Sequence, residues 1–509
     1  MWILDELYER RNSDTFAVIE RKGCCTFREL WERSEHIARD ILREVERSGK
    51  DTPIVLYGDK HHDMIPVMLA ALKTGRAYVP VDVTFPVERL SYIAKATDSV
   101  LIYNFSGKTL DIPFTVRDGT ALEQTLYGEP AEEDVPRSLW VKDDDPCYIL
   151  FTSGSTGAPK GVPIRKRNIV NYVTWFSDFI RPGDYGQNVL NQASYSCDFS
   201  VEILYVYMSM GKTLICVDKG LIEDVGSLLR WLSENKISVW SSTPSFMEMC
   251  GKDPALCKAG LPELQLVIMG GEAFGKNTAK MIRSRFPDAA LFNTYGPTEV
   301  TVEFVACRVT DEMIESERSI PIGKVMPEAK YWVENENGDR CAEEEVGELV
   351  AVSKSCAEGY FLNPEQTKKV FFRSEDGRMG YHTGDLVYEK DGLLYFAGRK
   401  DSQVKVGGYR IEIDDIAANL DQLDEVETSA VVPVRDENGT VSYLAAFIKR
   451  KASAPQRSSL QNLIVIKKGL AEKVPSYMIP RKVIFVEEFP LNNTGKIDKK
   501  ALEQSLAAK

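Results

Sequence analysis

Short β-rich runs that stop in Gly, Ser or Asn clusters recur along the first three hundred residues, with stretches of helical apolar spacing between them. The runs fall at 53–58, 77–81, 100–104, 147–154, 188–194, 213–217, 238–242, 264–271 and 290–296. Helical spacing marks 26–45, 225–234 and 277–286. A strand covered on both faces reads as a continuous apolar run, whereas the helix covering it repeats its apolar residues every three or four positions. Alternation of the two leaves few solutions, and layered α/β structure with largely parallel sheets is expected. From about 320 to 396 the pattern becomes Gly-punctuated strands without long helices, as in a small β subdomain. After Gly398 it changes again, to a mixed α+β unit. The expected division is a large core at 1–398, a polar hinge at 399–401 and a small terminal domain at 402–509.

A chain of 509 residues exceeds what one core usually serves, and 43% hydrophobic with 27% charged residues fits a folded rather than a disordered chain. Met1 to Arg10 is dense in charge, without an apolar signal core, and the apolar segment 201–210 is too short to span a bilayer and holds Glu202. No membrane insertion is expected. Ten scattered cysteines without a C-x-x-C pair and only four histidines give no zinc signature, and suit a reducing cytoplasm. The net charge of −13 argues against nucleic-acid binding. It is uneven: 399–509 carries 18 Lys and Arg against 15 Asp and Glu, leaving the first 398 residues at −16. That asymmetry suits phosphate or an acidic partner in the terminal domain, or is ordinary variation.

The strongest local signal is Leu150-Phe151-Thr152-Ser153-Gly154-Ser155-Thr156-Gly157-Ala158-Pro159-Lys160-Gly161. An apolar strand enters a loop of small and hydroxylated residues and ends at a lysine. Glycines let backbone N–H groups approach phosphate oxygens, hydroxyls add donors, and Lys160 adds charge. The order does not match G-x-x-x-x-G-K-[ST], so a P-loop is not supported. A Ser/Gly-rich surface turn is the ordinary alternative.

The loop resembles the phosphate loop of the adenylate-forming superfamily, which includes acyl-CoA synthetases, luciferases and nonribosomal peptide synthetase adenylation domains. The rest of the chain carries the resemblance in order. Asn293-Thr294-Tyr295-Gly296-Pro297-Thr298-Glu299 is similar to the segment whose Tyr packs on adenine and whose Glu holds Mg²⁺. An aromatic face can bury a purine and a carboxylate can ligate a hard cation. Tyr381-His382-Thr383-Gly384-Asp385 resembles the segment whose Asp binds the ribose hydroxyls, and Gly398-Arg399-Lys400-Asp401 the ribose-contacting Arg followed by the hinge Asp. Gln403 to Glu412, with Gly407 and Gly408, looks like the loop lining the pantetheine path, and Pro490 to Asp498 like the segment carrying the catalytic lysine, Lys496.

The resemblance implies two half-reactions with ATP and Mg²⁺. A substrate carboxylate attacks the α-phosphate and pyrophosphate leaves, then a thiol attacks the acyl-adenylate and AMP leaves. Because anions must meet in the first step, cationic clamps are needed, and Lys160, Mg²⁺ on Glu299, and Lys496 would supply them. Lys496 and Gly408 would serve different steps, with the mobile terminal domain turning about Asp401.

Substrate class must come from the pocket rather than the family. Asp198 aligns with the residue that binds an α-ammonium group in amino-acid-activating members; a surface cap is the bland alternative. Without a condensation or carrier segment, a free-standing ligase is expected, loading an amino acid onto the phosphopantetheine of a separate carrier protein. Among free-standing members the chain is most similar to the D-alanine:carrier-protein ligases that serve teichoic acids. It departs from them at Gly270, Glu202 and Glu303, where they carry Cys, Met and a small apolar residue. The implied lining is Asp198, Phe199, Glu202, Ser241, Ile268, Gly270, Thr294, Val302, Glu303 and Lys496. Two glutamates with room opened at Gly270 favour a cationic amino acid such as lysine or ornithine over D-alanine, although Phe199 could shorten the cavity. If the glutamates instead point outward or pair with Lys or Arg, that preference disappears. An acyl-CoA synthetase and a non-catalytic adenylate-binding protein remain the other readings.

Overall fold

The computed structural model describes residues 1–128, 133–152, 159–436, 441–490 and 497–507. By contacts the chain falls into two units: one of 1–83, 94–150 and 161–400, the other of 84–93, 151–160 and 401–509.

The first unit holds two large sheets. One has nine strands, whose middle is parallel: Ala290–Tyr295, Leu266–Met269, Val239–Ser242, Asn188–Asn191, Thr213–Cys216 and Phe16–Glu20 lie side by side. Antiparallel strands flank it, with Val305–Arg308 and Lys324–Val325 at one edge and Gly23–Thr26 at the other. The six-stranded sheet runs in the order Thr115–Arg117, Leu101–Asn104, Ile54–Gly58, Tyr78–Asp82, Pro146–Thr152, Lys160–Arg165. Parallel strands need long crossovers and cover on both faces, which explains their unbroken apolar character. The strands Ile54–Gly58 and Leu266–Met269 are buried at every position.

Helices supply the cover. The helix Phe27–Ser48 starts at Thr26, whose hydroxyl accepts from the Glu29 N–H while the Glu29 carboxylate accepts from the Thr26 N–H, a reciprocal cap. It stops at Gly49, left-handed at φ 66°. Its Leu30, Ile37, Ala38 and Ile41 face the core at helical spacing. Val225–Glu234 forms a helix at the bounds its apolar spacing gives, and Lys276–Arg285 lies one residue before the expected 277–286. The 320–396 region is a five-stranded antiparallel sheet of Lys330–Glu334, Gly347–Val352, Met379–Lys390, Phe371–Arg373 and Leu393–Arg399.

The second unit has a hairpin, Gln403–Val406 with Tyr409–Glu412, and a three-stranded sheet of Val426–Arg435, Val441–Arg450 and Lys482–Phe485. Residues alternate between its two faces. Val431, Leu444 and Ala446 pack with Ile416 and Leu470, whereas Ala430, Val432, Ala445 and Phe447 pack with Leu502. No described helix is long and apolar enough to cross a membrane.

Candidate active site

In open parallel sheets the strand C-termini gather side chains beside the loops that follow. Ser241, Met269, Asn293 and Tyr295 all lie at such ends in the nine-stranded sheet, with Ser241 opposite Ile268 and Met269 opposite Asn293. Asp198 and Glu202 follow the neighbouring strand Asn188–Asn191, and the chain winds wide, as a π-helix, over Glu202–Tyr207. Such wide turns recur at functional sites because they shift a side chain off the α-helical register.

After Tyr295 the backbone turns back sharply. A Cβ at Gly296 would lie 2.3 Å from the Val302 carbonyl and 2.4 Å from Glu303 Cα, so only glycine lets these strands close. Thr301 and Val302 both sit in the left-handed region, at φ 56° and 68°. β-branched residues there are strained, and the surroundings must hold them. The Thr301 hydroxyl donates to the Ser355 carbonyl at 2.6 Å, and the Glu303 N–H to the Thr301 carbonyl at 2.8 Å. The turn thereby fixes three acids. Thr298 donates its hydroxyl to Asp198 at 2.5 Å. Glu299 is fully buried and accepts from the Tyr360 hydroxyl at 2.7 Å. Glu303 follows directly after the two strained residues.

One end of this constellation pairs opposite polarities. Asp385 and Arg399 face each other across neighbouring antiparallel strands and join at 2.5 Å. The Tyr295 hydroxyl donates to the other Asp385 oxygen at 2.5 Å. Burial, then the Asp385 charge, pushes the Tyr295 phenol well above its ordinary range, so it stays a donor. The structure thus brings together the residues expected at the adenine and the ribose. Asn293 is placed differently, its amide donating to the Pro321 carbonyl at 2.8 Å.

At the other end two like charges meet. Glu202 is 0% and Glu303 2% exposed, so neither points outward. Glu202 accepts from the Ser241 hydroxyl at 2.9 Å, and Glu303 from Thr294 at 2.6 Å and Tyr172 at 3.2 Å. Burial, and next the Glu303 charge, raises the Glu202 carboxyl well above the usual range. Among the described residues its partners are hydroxyls, not a lysine or arginine. The opening expected at Gly270 is absent. A Cβ there would meet Thr294 Oγ1 at 2.4 Å, the Phe199 ring at 2.9 Å and Glu303 at 3.3 Å. Phe199 and Thr294 pack close to the backbone at 270, so the wall is closed there. Val302 and Ile268, also expected in the lining, are both buried.

The second unit carries the remaining positions. Thr152 ends its strand with a buried hydroxyl that has no hydrogen-bond partner among the described residues, and the Lys160 ammonium lies 3.8 Å from Glu412. Asp401 opens this unit and accepts from the Gln403 N–H at 3.2 Å. Gly407 and Gly408, at φ 58° and 82°, form the two-residue hairpin loop that demands left-handed residues. Ser153, Gly154, Ser155, Thr156, Gly157 and Lys496 lie outside the described residues.

Tyr172, Tyr207 and Tyr360 escaped sequence reasoning. Tyr172 shares the apolar face of the helix Lys166–Ile180 with Ile169, Val173 and Phe176, a spacing that places it inside. Tyr207, in the wide turn, is buried and raised first by burial and then by the Glu202 charge. For Tyr360 the only signal is the preceding Gly359, left-handed at φ 145°.

Comparison with known proteins shows the family. The AMP-binding enzyme family matches residues 6–361, and the AMP-binding enzyme C-terminal domain matches 415–496. The D-alanine--D-alanyl carrier protein ligase of Bacillus licheniformis is 38% identical over 504 residues, covering 98% of both chains. That of Listeria welshimeri is 39% identical over 486 residues, covering 94% of both. The fold matches the Vibrio cholerae adenylation domain AlmE in complex with glycyl-adenosine-5'-phosphate, at TM-score 0.80 and 21% identity over 100% of this chain and 97% of that one. It also matches PA1221, a nonribosomal peptide synthetase protein with adenylation and carrier domains, at TM-score 0.82 and 24% identity over 99% and 84%. The chain belongs to the AMP-binding enzyme family of ligases, and its near full-length relatives are D-alanine--D-alanyl carrier protein ligases.

Proposed function

We propose that this protein adenylates an amino acid, with D-alanine as its substrate, and transfers it to the phosphopantetheine thiol of a separate carrier protein. The observation that carries the reading is Asp198, a carboxylate at the strand ends, held by Thr298 from the same turn that carries Glu299. An acid set there suits an α-ammonium group, and a fatty or aryl acid would have nothing to pair with it. The relatives' substrate, and the closed wall of Phe199, Thr294 and Glu303 around Gly270, support a small side chain.

In this reading a carboxylate oxygen of the amino acid attacks the α-phosphorus of ATP, and the bond to pyrophosphate breaks. Lys160, Lys496 and the loop of Thr152, Ser153, Gly154, Ser155, Thr156 and Gly157 offset charge on the phosphates, and the orphaned Thr152 hydroxyl is a donor ready for one. Tyr295 walls the adenine while Asp385 and Arg399 take the ribose. Asn293, Gly296 and Thr298 shape the turn beneath it. Glu299 is a single hard carboxylate, the donor Mg²⁺ takes when phosphates and water complete its shell, and the bound ion would neutralise phosphate charge. The thiol then attacks the acyl carbon, AMP leaves, and Gly407 and Gly408 leave room for pantetheine as 402–509 turns about Asp401. Ten free cysteines suit a reducing cytoplasm.

A cationic amino acid is the second reading, favoured by one observation: Glu202 and Glu303 share a buried compartment. The relatives give lysine and ornithine no support.

Asp198→Asn tests the assignment. A charge-assisted hydrogen bond contributes about 1.5–3 kcal/mol, so kcat/KM for the amino acid should fall roughly ten- to a hundredfold with KM for ATP unchanged. Undiminished pyrophosphate exchange in this variant, or acylation of free CoA in preference to a carrier thiol by the parent, would overturn it.

A further inference from the structure

The sequence gives no zinc signature, yet one cluster in the first unit brings two imidazoles and a carboxylate together. One donor atom each from Glu20, His61 and His62 lies within 4.8 Å of the other two. Glu20 ends a strand of the nine-stranded sheet, while His61 and His62 follow the strand Ile54–Gly58 of the six-stranded sheet. The two imidazoles stack, 4.8 Å between centroids, with His61 also stacked on Phe105.

The surroundings orient the ligand atoms. His62 Nε2 lies 3.2 Å from Asp63, which is itself fixed by Arg33 at 3.1 Å and by the Tyr127 hydroxyl at 2.7 Å. A carboxylate beside one ring nitrogen is the arrangement found behind metal-bound histidines. That other nitrogen, His62 Nδ1, is buried, has no hydrogen-bond partner of acceptable geometry, and stands 2.6 Å from Glu20 Oε1. An unbonded ring nitrogen beside a carboxylate offers a cation one nitrogen and one oxygen donor. His61 is less committed: its Nδ1 takes the Asp63 N–H only at a long 3.3 Å, a contact that coordination would replace.

We propose that Glu20, His61 and His62 bind one divalent transition ion, of which zinc is the type, tying the two sheets of the first unit together. Two imidazoles and one carboxylate are a borderline nitrogen and oxygen set that suits zinc, with water completing a tetrahedron, and suits magnesium poorly.

The test is calorimetric titration of chelator-stripped full-length protein with Zn²⁺, alongside Co²⁺ absorption spectra. The parent should bind one equivalent, raise its Tm on binding, and show visible cobalt bands without the near-ultraviolet thiolate band that the cysteines would give. His62→Gln and His61→Phe should each weaken binding by about tenfold or more. His61→Phe keeps the stack on Phe105, which guards against a mere folding failure. No saturable binding, a thiolate band, or affinity unchanged in His61→Phe would overturn the proposal.

Discussion

The two ends of the candidate site solve opposite electrostatic problems. At the Tyr295–Asp385–Arg399 end a buried carboxylate meets a guanidinium and a phenol, so every partner is of complementary polarity. At the Glu202–Glu303 end two buried carboxylates meet each other, with the hydroxyls of Ser241, Tyr207, Thr294 and Tyr172 among their partners. The first arrangement is settled within the fold. The second is unsettled, and an unsettled buried pair costs stability unless a proton neutralises one member. In the proposed reading, chemistry shared by the family's reactions belongs to the balanced end and choice between acids to the unbalanced one.

The largest expected effect joins both ends. Gly296→Ala drives a methyl into the Val302 carbonyl and Glu303 Cα, which belong to backbone and cannot swing away. Overpacking commonly costs about 1–3 kcal/mol, and here the strained Thr301–Val302 turn must also move. Pyrophosphate exchange should fall by at least tenfold, with affinities for ATP and amino acid both impaired. Loss confined to one substrate would show that the turn does not hold the two ends together.

Next comes the balanced end alone. Asp385→Asn keeps shape but removes the charge facing Arg399, leaving a half-buried guanidinium without its ion pair. The expected loss is about 1.5–3 kcal/mol in kcat/KM for ATP, read by exchange at saturating amino acid, with amino-acid KM unchanged. An effect on both substrates would blur the division.

The unbalanced end gives the smallest effect, and one of opposite sign. Glu202 binds a proton in the folded state that the unfolded chain has released above its ordinary value of 4.5. The unfolded chain therefore holds fewer protons there, and stability falls as pH rises from that value toward the raised one. Glu202→Gln keeps a Ser241 partner and removes the liability. Thermal unfolding followed from pH 5 to pH 8 should show a shallower decline for the variant and the larger Tm gain at the alkaline end. A uniform loss of Tm would mean that the charge is compensated.

These contrasts explain what could be read from the chain. Sheets and helices were legible where burial is continuous or periodic, as at 225–234, because backbone hydrogen bonding and apolar cover depend on local pattern. The balanced end was legible too, since Tyr295, Asp385 and Arg399 stand in segments whose order the family shares. Partners brought from distant segments were not. Tyr360 reaches Glu299 across 61 positions and Tyr172 reaches Glu303 across 131. The left-handed Thr301 and Val302 run against their own propensities, which only tertiary contacts can override. Gly270 misled because volume removed from a wall was read as space, whereas Phe199 and Thr294 packed into it. The cluster of Glu20, His61 and His62 was passed over because four histidines and no C-x-x-C pair give no zinc signature, and Glu20 reaches the two histidines from a different sheet.

The most direct measurement is ATP–pyrophosphate exchange by the full-length protein with a complete panel of L- and D-amino acids, followed by thioester formation on a phosphopantetheinylated carrier. D-Alanine should give the highest kcat/KM and load the carrier, while lysine and ornithine exchange poorly. Preference for lysine or ornithine, weakened by Glu202→Gln, would contradict the substrate assigned here, and exchange with no amino acid at all would contradict the activity itself.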